Sequence, residues 1–346
     1  MKKRDIILVL TIITGLMFST VITTQSNNEL PVDVNIDAAD LNIAVSIVPF
    51  VEWVEEVGGE HVEVLSLIPV GQSPHIYAPT STELAFVSTA DAWFQAGLID
   101  FDIAHESAIL SSAGFDSGDI VNFSKYVDLI DMEEHHEHVD ERFIPLEEEH
   151  QKDPHIWLSP TNAIACVEQI KIKLSALDPT HSADYTTNAN NYIAQLTSLN
   201  STIESKLAPV QNRHMLVFHP AWGYFCHDFN LTLIALEDEG KDPSSEHFAE
   251  VLEEIEEHNV GVIFIQEEIS TSVAEAFAQE ACVEIIQLKP LASDYIDNLN
   301  TTASTLANKL DQLPSCQAGF PGFSVPIVIL AISSVFLTIL IKKKRR

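Results

Sequence analysis

The sequence predicts an α/β protein: two parallel-sheet α/β domains bridged by one long rigid helix. Short apolar runs alternate with segments of helical period over residues 41–111 and again over 215–288, the βαβα rhythm that builds a parallel sheet. Between them a single stripe, Tyr185, Ala189, Tyr192, Leu196, Leu199, Ile203 and Leu207, keeps spacings of three and four, which is one face of one helix. Hydrophobic residues make up 46% of the 346 positions, enough to bury the cores of about two domains in spite of the charge.

The first domain is expected over residues 41–177. Leu41 to Val48 reads as a buried strand, Val51 to Val57 as a helix and Val62 to Pro69 as a second strand. A helix near Ser81 to Ser88, a strand at Asp91 to Ala96 and a helix around Phe101 to Ser111 continue the alternation. Residues 132–152 interrupt it, because most of these 21 residues are Glu, His or Asp, and they read as a mobile His/Glu-rich loop. A helix is expected to start near Asn162. The linking helix, residues 178–208, opens at Asp178-Pro179 and would run ~45 Å at ~1.5 Å per residue. The second domain, 209–313, repeats the pattern: strands at Met215 to Phe218, Leu231 to Leu236, Val260 to Ile265 and Val283 to Leu288, with helices from Ala221, at Ser245 to Glu257 and at Ser270 to Gln279. A stiff bridge predicts little movement of one domain against the other.

The ends locate the body. Lys2, Lys3 and Arg4 precede 13 apolar or small residues, Ile6 to Phe18, and a polar stretch, so residues 1–26 read as a signal peptide; retention of this run as a second anchor is the alternative. Residues 27–40 and 314–322 are spacers. Phe323 to Ile341 holds 19 residues without a charge, sufficient as a helix nearly to span a ~30 Å hydrocarbon core. The basic tail 342–346 then stays cytoplasmic. The expectation is a single-pass C-terminal transmembrane anchor in the cell membrane, with the body extracellular. Cys166, Cys226, Cys282 and Cys316 admit three full pairings and form no CxxC zinc pattern.

The formal net charge is −33. Eight of the 18 bases sit in the two tails with a single acid, Asp5, which leaves 10 bases against 50 acids between them, a net charge near −40. Nucleic acid is excluded as a partner by that sign.

Three histidines stand at matching places. His75 follows a strand in Gly71-Gln72-Ser73-Pro74-His75-Ile76-Tyr77-Ala78-Pro79, His155 lies in Asp153-Pro154-His155-Ile156-Trp157-Leu158-Ser159-Pro160 ahead of a helix, and His219 ends a strand before Pro220. Ligands of α/β sheets bind beyond the carboxyl ends of strands, and neutral imidazoles suit zinc. Any one of the three alone would read as an ordinary hydrogen-bonded histidine; three at such positions outweigh that reading.

Over about residues 40–313 the chain resembles the zinc and manganese substrate-binding proteins of ABC importers, with the zinc-uptake members the nearer likeness. The segments that carry it are Gly71 to Pro79, Asp153 to Pro160, His219-Pro220-Ala221-Trp222-Gly223-Tyr224-Phe225, and Gly240 to Val262 followed by Ile263-Phe264-Ile265. The resemblance implies a metal site in the cleft between the domains, with His75, His155 and His219 at the positions of the family's three histidine ligands, Zn2+ as bound substrate (Mn2+ the alternative), and an ABC permease in the same membrane as partner of a monomer. Manganese-type members place an aspartate where this chain has Lys289, which favours a three-histidine zinc site completed by water or by another carboxylate, Glu267 and Glu268 being candidates. His135, His136, His138 and His150, set among seven glutamates of the loop, read as accessory metal capture, as in the similar loops of zinc-uptake members; a solvated acidic insertion is the alternative. The reading is a binding component and not an enzyme. A manganese- or iron-binding member of the same family is the first rival. A secreted zinc hydrolase is the second, and it lacks HExxH or any carboxylate with a motif-level claim to act as general base.

Overall fold

The computed structural model describes residues 41–116, 118–132, 151–237, 243–267 and 271–315. Two four-stranded sheets, every pairing parallel, share one strand plan. The first has the order β2-β1-β3-β4, from β1 (Leu41–Val45), β2 (Val62–Ser66), β3 (Ala92–Gln95) and β4 (Ile120–Asn122); the second is β6-β5-β7-β8, from β5 (His214–Val217), β6 (Thr232–Ala235), β7 (Val262–Gln266) and β8 (Glu284–Leu288). In each, the chain lays down one neighbour and then crosses the first strand to continue on its other side. The crevice at that reversal lies beyond the carboxyl ends of the strands.

Local chemistry sets the element ends. Expected to reach Val48, β1 stops at Val45 because Ser46 turns into a buried polar network and Pro49 opens α1 (Pro49–Gly58), where a missing N–H costs nothing. Thr80 and Glu83 form a capping box at the start of α2 (Ser81–Val87), and α3 (Asp100–Ala113) ends at the left-handed Gly114. Helix α4 (Pro160–Leu177) starts with Pro at its first position, and the Ser159 hydroxyl accepts from Asn162 N. In the second half, α6 (Gly223–Asp228), α7 (Ser245–His258) and α8 (Thr271–Ala281) follow their strands.

The expected linking helix is α5 (Ser182–Leu207), entered through a 3₁₀ turn at Pro179–His181, and all seven residues of the stripe are buried. It does not bridge alone. Helices α4 and α9 (Tyr295–Lys309) pack along it. Both α9 and the edge strand β4 are absent from the sequence expectations: the buried stripe of α9, Tyr295, Leu299, Ala303 and Leu306, is interspersed with Thr and Asn, and β4 has only three residues.

One apolar core runs through both halves, from Ile43, Trp53 and Phe94 through Tyr192 and Leu196 to Met215, Val217 and Leu299. The other face of the second sheet has its own core, in which Leu216, Phe218, Ile263 and Ile265 meet Val251, Ile255 and Phe277 of α7 and α8. Alternate residues of β5 thus enter different cores, as period-two geometry requires.

Cys166 and Cys226 are buried thiols, whereas Cys282 is disulfide-bonded; a full pairing of the four does not occur. No helix among the described residues is long and apolar enough to cross a membrane. The expected anchor 323–341, the tail 342–346, the signal peptide 1–26 and the spacer 27–40 lie outside the described residues.

Candidate metal centre

The three histidines expected from sequence come together. His75 arrives on the loop after β2, His155 on the segment entering the buried 3₁₀ turn Ile156–Leu158, and His219 just beyond β5. One ring nitrogen from each lies within 4.8 Å of the others. The side chains of His155 and His219 are 5% and 8% exposed, whereas that of His75 is 36% exposed.

Each imidazole is held from behind by a carboxylate. His75 Nδ1 lies 2.7 Å from Asp100 Oδ2, at the first position of α3. Asp153 Oδ1 lies 2.8 Å from His155 Nδ1 and also accepts from the His155 backbone N–H at 2.8 Å. His219 Nδ1 pairs with Glu237, two residues past β6. A carboxylate at Nδ1 fixes the proton there, so each Nε2 presents its lone pair. In that tautomer His155 Nε2 and His219 Nε2, 3.2 Å apart, oppose each other as two acceptors. Two nitrogens bound at ~2.0–2.1 Å to one tetrahedral zinc would be ~3.3 Å apart, so a shared cation relieves this opposition at almost the spacing present.

The cavity in front of the rings has a volume of about 20 Å³, with Ile99, Trp157, Ala221 and Leu291 in its wall. That is room for one ion or one water. Apolar walls keep the local dielectric low and strengthen the attraction between a dication and the three negative groups behind the rings. Besides the histidines, Ser73 and Gln266 bring the side-chain oxygens of the wall, and among the described residues no carboxylate lines it.

The remaining candidates fall as follows. Lys289 is exposed and is not part of the cavity wall, which its neighbours Pro290 and Leu291 line instead. Glu267 is an exposed turn residue outside the wall, and Glu268 lies outside the described residues. His135, His136, His138 and His150 lie outside them too. The base of their loop is fixed, however: Asp131 bridges to Lys152 with an ion pair of 2.5 Å, and Asp153 N donates to Ile130 O. The two ends of the loop therefore meet one residue before the carboxylate that holds His155.

Asp100, Asp153 and Glu237 escaped the sequence reading. Asp153 was legible in Asp153-Pro154-His155, and Asp100 and Glu237 follow β3 and β6 as His75 and His219 follow β2 and β5. In a chain this acidic such positions carry no signal until the folded geometry selects them.

Fold and site together define a two-lobed α/β binding protein of the metal-importer class. Residues 43–309 match the family model described as zinc-uptake complex component A, periplasmic. A putative metal-binding protein of Treponema pallidum is 31% identical over 252 residues, 71% of this chain and 78% of that protein. The zinc-binding lipoprotein AdcA of Streptococcus pneumoniae is 29% identical over 265 residues, and the chain spans about half the length of that relative, 50% against 73% of its own. A crystal structure of ZnuA superposes with a TM-score of 0.70 at 31% identity, covering 78% of this chain and 99% of that one. The chain belongs to the zinc-uptake complex component A family, whose members are binding components and not enzymes.

Proposed function

We propose that this protein captures Zn2+ outside the cell and delivers it to an ABC permease, with His75, His155 and His219 as protein ligands and water in the fourth position. The observation that carries the reading is the pair of inward-facing Nε2 atoms of His155 and His219, 3.2 Å apart, each ring locked by a carboxylate on its far side. A wall with no carboxylate among the described residues favours zinc over manganese, which prefers oxygen ligands. The family model and the zinc-binding relative support the same choice.

In this reading the His/Glu-rich loop, whose base adjoins Asp153, raises the local concentration of metal. The body stands outside the membrane, tethered by residues 323–341 after removal of residues 1–26. The tests are direct. The full chain in detergent, stripped of metal, should bind one tight zinc, and His155→Ala should abolish it; retention of stoichiometric tight binding in that variant overturns the ligand assignment. In competition at equal concentration zinc should displace manganese, and the reverse order would assign the site to manganese.

A further inference from the structure

His155 and His219 are buried, but His75 sits on an exposed loop whose internal hydrogen bonds are local: Gln72 N to Pro69 O, His75 N to Ser73 Oγ, and Ile76 N and Tyr77 N to Ser73 O. Gly71, at φ +77°, has nothing within 4 Å of where a Cβ would lie. Such a loop does not hold an imidazole in place by its own bonds. Its contacts with the first turn of α3 do so: Asp100 holds the ring at Nδ1, and Phe101 N donates to Pro74 O at 3.2 Å. What fixes that turn is Asp102. This carboxylate is 1% exposed, accepts from Ser46 Oγ at 2.5 Å at the end of β1, and accepts from Gly97 N at 2.7 Å just after β3. Ser46 Oγ in turn accepts from Trp93 Nε1 at 3.1 Å. Gly97 is required for the approach: its φ is +93°, and a Cβ there would lie 1.9 Å from Asn122 Oδ1.

We infer that Asp102 is the positioning residue for His75: it fixes the first turn of α3 to the carboxyl ends of β1 and β3, and through Asp100 and Phe101 it sets the one ligand that comes from a loop open to solvent. The inference rests on the zinc-site reading and adds to it that the third ligand is placed from behind by a buried carboxylate which never touches the metal. Groups that orient metal-binding histidines change affinity by about 10–100-fold when removed, and Asp102 acts one link further back, so about 10-fold is expected.

The test is a double-mutant cycle on the full chain, with zinc affinity read by competition against a chelator. His75→Ala should weaken binding strongly. Asp102→Asn, which keeps the shape and one acceptor, should weaken it about 10-fold, and Ser46→Ala should weaken it less. In the His75→Ala background neither change should have a further effect, because the residue they position is gone. A loss of equal size in both backgrounds, or no loss in Asp102→Asn and Ser46→Ala, overturns the positioning role while leaving the site assignment intact. An unchanged affinity in His75→Ala overturns both. Should Asp102→Asn fail to fold, Ser46→Ala in the two backgrounds decides alone.

Discussion

Three carboxylates behind three imidazoles make the site polar at its back and apolar at its mouth. Removing one should act through the ring it holds. Asp153→Asn is expected to weaken zinc binding most, toward the upper end of a 10–100-fold range, since Asp153 also fixes the His155 backbone. Asp100→Asn should cost least, since His75 is already the most exposed of the three. Chelator competition ranks them, and the reverse order would place the weight of the site on the loop. Asp102 makes a separate prediction in pH. Burial, with Glu106 nearby, pushes its carboxyl up to about 7. An acid with a higher pKa folded than unfolded binds more protons in the native state, so its contribution to stability is full below the unfolded value of ~3.9 and is lost as pH rises toward 7. The stability of the natural protein relative to Asp102→Asn should therefore fall between pH 4 and 7 and be flat above; denaturant titration at several pH values reads it, and a constant difference refutes it. At this scale the sequence revealed the three histidines that converge but not the carboxylates behind them. His75, His155 and His219 stood out by their places after strands or before a helix, while Asp100, Asp153 and Glu237 were hidden among 51 acids.

Among the elements, α5 was legible because its stripe runs unbroken for six turns, whereas α9 went unread although Tyr295, Leu299, Ala303 and Leu306 keep the same spacing of three and four, because it is shorter and Thr302 sits among them. That omission matters, since α9 ties the halves together. Glu52 of α1 accepts from Tyr192 Oη of α5 at 2.6 Å and, with its other oxygen, from Tyr295 N at the start of α9 at 2.6 Å. A carboxylate of the first half thus satisfies a helix N-terminus that follows the second sheet. Tyr295 Oη continues to Trp157 O at 2.7 Å, Trp157 Nε1 reaches Pro290 O at 2.8 Å, and Ser159 Oγ donates to Asp228 at 2.6 Å. A wide hinge would have to break this set together. Glu52→Ala leaves three part-buried donors unpaired, those of Tyr192, Tyr295 and, at 3.4 Å, Ile296, and should lower stability by about 3 kcal/mol, at roughly 1 kcal/mol for each lost bond. Glu52→Gln should cost less, since it keeps an acceptor and removes a charge whose pKa burial has raised. With the staple intact, spin labels at the exposed positions Glu63 and Glu253, one in each half, should show one distance population with or without zinc. A second, longer population on metal removal would show that a hinge opens in spite of these bonds.

For the whole molecule, the excess of acid makes opposite demands on stability and on capture, and salt separates them. Helix α7 shows the cost locally. Glu246, Glu250, Glu253 and Glu257 are all exposed, two pairs of them spaced at i,i+4, and the helix contains no Lys or Arg; like charges so placed destabilise a helix by about 0.2–0.5 kcal/mol a pair. Summed over a body near −40, such repulsion should weaken the metal-free fold at low ionic strength and fade as the screening length falls from ~10 Å at 0.1 M to ~3 Å at 1 M. The same field draws dications inward and should speed their association. The midpoint of thermal unfolding of the metal-free protein should therefore rise with sodium chloride over that range, while the zinc association rate in stopped flow falls. The two should move oppositely in the full chain, and neutralising the α7 glutamates should reduce the first slope more than the second, because α7 lies on the outer face of the second sheet, away from the cavity wall. If both quantities were indifferent to salt, the acidity would act as neither a screened repulsion nor a steering field, and only solubility would remain as its physical effect.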